Sequence, residues 1–133
     1  MITAVDTSVL LDVFAADPRF LAASQAALRR ALHEGALVAS EVVFAELRPW
    51  FRSREALLEA TSVLRLELTP VGLDAALAAG EAFARYRRAG GPREHLIPDF
   101  LVAAHAMDCA DRLLTRDRGF YRRWFKALAI LEP

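Results

Sequence analysis

The sequence has few of the residues that build several common kinds of functional site. Its single cysteine, Cys109, excludes a disulfide within the chain. Its three histidines, His33, His95 and His105, have no zinc-ligand spacing with that cysteine. The only Gly-Gly pair precedes proline and is not followed by Lys-Ser or Lys-Thr, so no phosphate-binding loop of that kind is present. These absences disfavour a disulfide-stabilised fold, a zinc site and a P-loop nucleotide site.

Long apolar runs are also missing. No uninterrupted hydrophobic stretch approaches the roughly 20 residues of a membrane span, and no basic segment precedes an apolar one at the N-terminus. The chain has 133 residues, of which 55% are hydrophobic and 26% charged, as in a folded globular domain. We therefore expect a single domain over residues 1–133, with no signal peptide and no membrane segment. The lone cysteine, in an apolar helical pattern, favours a reducing, cytoplasmic setting.

Lysine is nearly absent, since 16 of the 17 basic residues are arginine and only Lys126 is not. The formal net charge is zero, but residues 1–84 carry 7 basic and 11 acidic residues, and residues 85–133 carry 10 basic and 6 acidic residues. The two parts therefore have net charges of −4 and +4. Arginine suits bidentate contact with phosphate. It is also common on solvated helix surfaces, so this bias is weak evidence for nucleic acid.

The hydrophobic pattern predicts strands that alternate with helices. The predicted strands cover residues 2–5, 36–39, 64–68, 113–115 and 128–131. The predicted helices cover residues 18–34, 41–48, 53–62 and 73–89, a buried helix that opens at residue 97, and residues 119–126. Such alternation is typical of βαβ units. We therefore expect an α/β/α sandwich with a mostly parallel sheet of about five strands.

Four carboxylates stand at equivalent places in this pattern. Asp6 and Asp117 fall at or just after the ends of predicted strands, whereas Glu46 and Asp99 lie early in helices that follow strands. Each has an ordinary local explanation as a helix cap, an exposed helix residue or a turn residue. In a parallel sheet, however, these places meet in one crevice at the carboxyl edge. Clustered carboxylates repel unless a hard cation such as Mg²⁺ or Mn²⁺ lies among them.

Two further groups of residues accompany the carboxylates. Thr7 and Ser8 follow Asp6, where they are suited to cap a helix or to donate hydrogen bonds to its carboxylate. Arginines flank Asp117 in a segment that also carries aromatic residues; they are Arg116, Arg118, Arg122 and Arg123. These arginines are candidates for contact with the phosphates of a nucleic acid, while apolar packing is the simpler role for Tyr121, Trp124 and Phe125.

Taken in order, these motifs resemble the PIN-domain ribonucleases, in particular the VapC toxins of toxin–antitoxin pairs. The matching segments are residues 5–12, Ser40 with Glu46-Leu47, residues 98–106 and residues 114–120. No single motif is specific, but the ordered set covers essentially the whole chain. In the family, the matching carboxylates bind Mg²⁺ or Mn²⁺ and activate water to cleave RNA. The resemblance implies these roles for Asp6, Glu46, Asp99 and Asp117, with support from the hydroxyls of Thr7 or Ser8 and of Thr115.

The resemblance also implies a homodimer and a complex with an antitoxin protein. The aromatic pair Trp50-Phe51 is a candidate for an interface, although packing in the core is an equal alternative. The bulk of Phe100-Leu101-Val102, where the family often has smaller residues, leaves the substrate preference open. Other readings are a nuclease of RNA processing or DNA cleavage, and a module that holds metal without turnover. A phosphoacceptor receiver domain is disfavoured, because it needs a lysine near its acidic site. The only lysine here, Lys126, lies in the predicted basic helix after the last of the four candidate carboxylates.

Overall fold

The computed structural model describes all residues from Met1 to Pro133, and they form five strands and seven α-helices. The strands are β1 (Ile2–Val5), β2 (Ala36–Ala39), β3 (Leu66–Leu68), β4 (Arg112–Leu114) and β5 (Ile130–Leu131). The helices are α1 (Thr7–Phe14), α2 (Leu21–Glu34), α3 (Glu41–Leu47), α4 (Arg54–Val63), α5 (Gly72–Arg88), α6 (Ile97–Cys109) and α7 (Arg118–Trp124). A short 3₁₀ helix, Arg48–Trp50, follows α3. None of these helices combines the length and the apolar character needed to cross a bilayer.

The five strands form one sheet in the order β3-β2-β1-β4-β5, and every pairing is parallel. Right-handed crossovers place the helices before β3 on one face and those after it on the other, because the strand order reverses direction. The expected α/β sandwich is therefore confirmed. The reversal falls at β1, which pairs with both β2 and β4. Open α/β sheets bind ligands outside the carboxyl ends of the strands at such a point.

The core explains why the central strands read as continuous apolar runs. Leu37, Leu113 and Leu114 are completely buried, as expected for strands covered on both faces. The helix α6 supplies Phe100 and the five successive buried residues 102–106, so it is enclosed on several sides. It packs against α5, β1 and β4. Burial of α6 fixes the position of its first turn, where Asp99 lies.

Several predicted element boundaries were wrong. The segment Asp17-Pro18 does not begin α2; the Asp17 carboxylate accepts from the backbone N–H groups of Arg19 and Phe20 in a turn that precedes the helix. Thr7 and Ser8 do not cap α1, because the helix begins at Thr7 and Asp6 is its N-cap residue. The last helix and the last strand are shorter than predicted. The helical pattern does not reveal these boundaries, since turn residues and first-turn residues share the same composition.

Candidate active site

A polar crevice of about 530 Å³ lies at the carboxyl edge of the sheet. None of its nine lining residues is hydrophobic. They are Asp6, Thr7, Ser8, Glu46, Glu94, His95, Asp99, Arg116 and Asp117. The structure therefore brings together the four carboxylates that the sequence pattern singled out, although they come from four separate parts of the chain. Glu94 is a fifth carboxylate that sequence reasoning did not include.

Asp6 is fixed at the end of β1 by both its backbone and its side chain. Its backbone N–H donates to the carbonyl of Leu114 at 2.9 Å, which ties it to β4. Its Oδ2 accepts from Thr115 Oγ1 at 2.7 Å and from Ser8 Oγ at 3.3 Å. Burial, together with the charges of Asp99 and Glu46, raises the pKa of Asp6 to about 6, despite the opposing hydrogen bond from Thr115. Backbone and side-chain hydrogen bonds therefore fix the Asp6 carboxylate at the carboxyl edge of the sheet.

Glu46 reaches the crevice from the last turn of α3. Its Oε1 accepts from Thr7 Oγ1 at 2.8 Å, so a hydroxyl at the start of α1 orients a carboxylate of another helix. Burial raises the pKa of Glu46, as does the charge of Asp99, whereas the Thr7 hydrogen bond lowers it. The two hydroxyls that follow Asp6 thus contact two different carboxylates. Ser8 donates to Asp6 as expected, whereas Thr7 donates to Glu46 and not to Asp6.

A histidine lies between the carboxylates of Asp99 and Asp117. His95 lies before α6, with Nδ1 3.1 Å from Asp99 Oδ2 and Nε2 3.5 Å from Asp117 Oδ2. Its ring stacks on Phe120 at 3.7 Å between centroids, with an interplanar angle of 11°. Sequence reasoning missed His95 because it considered the histidines only as zinc ligands. The i,i+4 spacing of His95 and Asp99 was the available signal.

Thr115 connects the two halves of the crevice. Its hydroxyl donates to Asp6, and the same oxygen accepts from the backbone N–H of Asp117 at 3.0 Å. Thr115 is completely buried. One threonine therefore positions both the Asp6 carboxylate and the turn that carries Asp117.

The arginines near Asp117 divide into two groups. Arg116 lines the crevice and forms an ion pair with Asp12, with Nε 2.8 Å from Oδ2 and a terminal nitrogen 2.9 Å from Oδ1. Arg118 and Arg122 both donate to the half-buried side chain of Glu132, at 2.9 and 3.0 Å. The sequence pattern grouped these three arginines with Arg123 as one phosphate-binding set. Only Arg116 lines the crevice.

The aromatic residues of α7 and the segment after it take part in packing. Phe120, Tyr121 and Phe125 are buried and belong to a cluster of mutually contacting rings that also includes Phe100. Burial raises the pKa of the Tyr121 hydroxyl, as do the charges of the crevice carboxylates. This agrees with the simpler role expected of these aromatics. Trp50, in contrast, is 63% exposed.

The donor set suits a hard divalent cation. All four carboxylates offer oxygen, which Mg²⁺ and Mn²⁺ prefer, and the mutual repulsion of Asp6, Glu46 and Asp99 is relieved by positive charge. No three His, Cys, Asp or Glu side chains form a group that could hold a metal ion in the present geometry. Mg²⁺ usually retains several waters and binds through one or two carboxylates. The crevice therefore fits a cation held partly through water.

Comparison with known proteins agrees with this architecture. Three similar structures are VapBC2 from Rickettsia felis bound to a promoter DNA fragment, VapBC-1 from nontypeable Haemophilus influenzae and a toxin–antitoxin complex from Klebsiella pneumoniae. Their sequence identities to this chain are 20%, 18% and 16%, with TM-scores of 0.75, 0.74 and 0.62. The alignments cover 99%, 99% and 90% of this chain, and 98%, 98% and 89% of those chains. At such identities the likeness shows a shared fold.

The curated proteins include no match to this sequence. The sequence profile of the PIN domain, however, matches residues 3–126. This range contains β1 from its second residue, β2 to β4, α7 and all nine residues of the crevice. The resemblance inferred from four short motifs is thus confirmed over nearly the whole chain. The protein belongs to the PIN domain family.

Proposed function

We propose that the protein is a metal-dependent endoribonuclease and the toxin of a toxin–antitoxin pair. The observation that carries the proposal is the convergence of Asp6, Glu46, Asp99 and Asp117 in one crevice without hydrophobic lining. A carboxylate with a pKa of about 6, beside two other acids, is unfavourable for the fold alone. A cation bound among these carboxylates would offset their mutual repulsion and would explain why they lie together. Membership of the PIN domain family supports the same conclusion.

The proposed reaction is hydrolysis of an RNA phosphodiester. When bound, Mg²⁺ or Mn²⁺ would lower the pKa of a coordinated water and neutralise charge on the phosphate. Asp6, Glu46, Asp99 and Asp117 would hold the cation or its waters, with Thr115, Thr7 and Ser8 orienting the first two acids. The water oxygen bonds to phosphorus, the bond to the 3′ oxygen breaks, and that oxygen takes up a proton. The products are a 5′-phosphate and a 3′-hydroxyl.

A cleavage assay with purified protein tests this proposal. We expect RNA cleavage with Mg²⁺ or Mn²⁺, none with a chelator, and loss of cleavage in Asp99→Asn. The matched control is Asp108→Asn, which removes an exposed carboxylate from the same helix outside the crevice. It should cleave at the wild-type rate. Equal rates in Asp99→Asn and Asp108→Asn would refute the acidic-site assignment.

The same assay separates the alternatives. A nuclease of RNA processing or DNA cleavage would share the crevice but act on a defined precursor or on DNA. A module that holds metal without turnover would bind RNA and cleave nothing under any metal. A receiver domain remains disfavoured, because Lys126 lines a different groove, between α5 and α6 and beside the segment after α7.

The proposal includes an antitoxin partner, a homodimer and a cytoplasmic location. Similar folds occur in complexes described as VapBC, or as toxin–antitoxin. Exposed large apolar side chains such as Val63, Leu73 and Trp50 are available for protein contacts. The single cysteine favours the reducing cytoplasm. Light scattering at micromolar concentration should give twice the single-chain mass; the single-chain mass would refute the dimer.

A further inference from the structure

The crevice has an electrostatic imbalance that bears on how RNA reaches it. Its lining includes five carboxylates and only one permanently charged cation, Arg116. An RNA phosphate that approaches this surface meets repulsion from the uncompensated acids. Arginine binds phosphate well because its guanidinium donates in a fixed planar array. Arg116 is therefore the residue of the crevice best suited to contact a phosphate next to the one that is cleaved.

Arg116 is held in place by groups outside the crevice. Asp12, on α1, is 2% exposed, and its two oxygens accept from Arg116 Nε and from one terminal nitrogen. The completely buried Ser24, on α2, donates to the same carboxylate at 2.6 Å. The guanidinium carbon of Arg116 lies 4.0 Å from the centre of the Phe20 ring. The carboxylate, the hydroxyl and the ring thus fix both the plane and the direction of the guanidinium.

This support leaves donors available for a ligand. A guanidinium has five N–H donors, and the ion pair with Asp12 uses two of them. The Arg116 side chain remains 33% exposed, whereas the side chain of Asp12 is 3% exposed. A purely structural ion pair in this protein looks different: Arg118 and Arg122 share Glu132 on the surface, away from the crevice lining. Arg116 alone combines a buried anchor with exposure to the site.

We propose that Arg116 is the phosphate-binding residue of the crevice, and that Asp12, Ser24 and Phe20 are positioning residues that preorganise it. This inference rests on the proposed ribonuclease function and adds which arginine holds the substrate and why. Because the side chain is already fixed, little rotamer freedom is lost on binding. The residue contacts a phosphate beside the scissile bond and does not take part in bond breaking.

The test pairs protein variants with RNAs in which one phosphate at a time is replaced by a neutral methylphosphonate. Binding is measured by fluorescence anisotropy with Ca²⁺, which takes oxygen ligands as Mg²⁺ does, and gels verify that the RNA stays intact. For wild type, one linkage should weaken binding by about tenfold when neutralised, as for loss of a charge-assisted hydrogen bond. In the Asp12→Asn/Arg116→Gln variant, that linkage should have an effect below about twofold, since its partner is gone.

Three controls make the result specific. Removing both members of the ion pair avoids a buried unpaired carboxylate, so the double variant should fold. Asp12→Asn alone retains Arg116 and should reduce the effect at that linkage to about threefold, because the guanidinium loses its anchor. Arg30→Gln removes an arginine that pairs with Glu34 outside the crevice, and should keep the wild-type pattern.

The outcomes distinguish this inference from the proposed function. An unchanged methylphosphonate pattern in the double variant overturns the assignment of Arg116, even though RNA is still bound and cleaved. An unchanged pattern in Asp12→Asn overturns the positioning role of Asp12. A wild-type protein that neither binds nor cleaves RNA overturns the proposed function together with this inference.

Discussion

Acidic residues have opposite electrostatic environments at the two edges of the sheet, where the strands begin and where they end. At the edge where the strands begin, Glu34 accepts from Arg30 at 3.0 Å and from Arg112 at 2.5 Å. These partners lower the pKa of the Glu34 carboxyl. Asp111 accepts from the backbone N–H of Ile2 at 2.6 Å. Each acid at this edge has a donor that stabilises its charge in the folded protein.

At the edge where the strands end, acids face one another. Burial, with smaller contributions from the charges of Asp99 and Glu46, raises the pKa of Asp6 to about 6. Its hydrogen-bond donors are hydroxyls, which orient a carboxylate without neutralising it. We call the edge with the paired acids Glu34 and Asp111 the structural edge. The edge with the mutually repelling acids Asp6, Glu46 and Asp99 is the functional edge. The comparison indicates that local destabilisation, more than the number of acids, identifies the candidate site.

The largest effect is expected from neutralising an acid at the functional edge. Asp6→Asn and Asp99→Asn should each lower RNA cleavage by at least about a hundredfold, since each removes a ligand of the proposed cation site. Asp6→Asn should also raise the free energy of unfolding of the metal-free protein at neutral pH by about 2–3 kcal/mol, because the unfavourable buried charge is gone. Cleavage kinetics and chemical denaturation measure the two effects. Wild-type cleavage by either variant would contradict the comparison.

The second largest effect is expected in how stability depends on pH, which should differ between the two edges. The pKa of Asp6 rises from 3.8 to about 6 on folding, so the folded state binds the proton more tightly. Its unfavourable contribution is complete above about pH 6 and disappears as the pH falls towards 3.8. The stability advantage of Asp6→Asn over wild type should therefore shrink by about 2–3 kcal/mol between pH 7 and pH 4. A stability difference between Asp6→Asn and wild type that does not change with pH would contradict the raised pKa of Asp6.

A smaller effect is expected from arginines that are already paired. Removing Arg118 and Arg122 together should leave the binding of a non-cleavable RNA nearly unchanged, and should not produce the drop in the log–log salt slope of roughly 0.7 that each lost phosphate contact would cause. Metal affinity should change little. Their pairing with Glu132 places them in the same class as the structural edge. A slope lowered by that amount for each arginine would contradict this assignment and would return them to the RNA-binding set.

The smallest effect is expected at the structural edge. Glu34→Gln should lower stability slightly at neutral pH, and less so in high salt, because its partners lie at the surface. The contribution of the ionised Glu34 is present above its unfolded pKa of 4.5 and is lost as the pH falls through its lowered folded pKa. Ionised Glu34 therefore stabilises the folded protein, whereas ionised Asp6 destabilises it. A melt in which Glu34→Gln stabilises the protein would contradict the comparison.

Much of the fold and the acidic cluster was predictable from the sequence. Apolar runs at β1, β2 and β4 mark buried strands, and their alternation with helices fixes a parallel sheet. The positions of Asp6 and Asp117 after strands then place them at one edge. Element bounds were less predictable, since a turn residue such as Asp17 has the same identity as a helix cap.

The residues that sequence reasoning missed act through contacts between distant segments. Asp12 is separated from Arg116 by 104 positions, and no local pattern marks it as an anchor. His95 joins Asp99 and Asp117 only because the segment before α6 folds over the start of α7. Likewise, Arg116 and Arg118 look equivalent in the sequence but have different partners. Such distinctions depend on tertiary structure, which spacing along the chain does not encode.

The most direct test of the account is the change in melting temperature caused by Mg²⁺ or Mn²⁺. A cation bound only by the folded state stabilises it by mass action. Wild type and Glu34→Gln should gain equally, whereas the Asp6→Asn/Asp117→Asn variant should lose most of the gain. The account would be contradicted if the double variant gained as much as wild type, because the metal would then bind elsewhere.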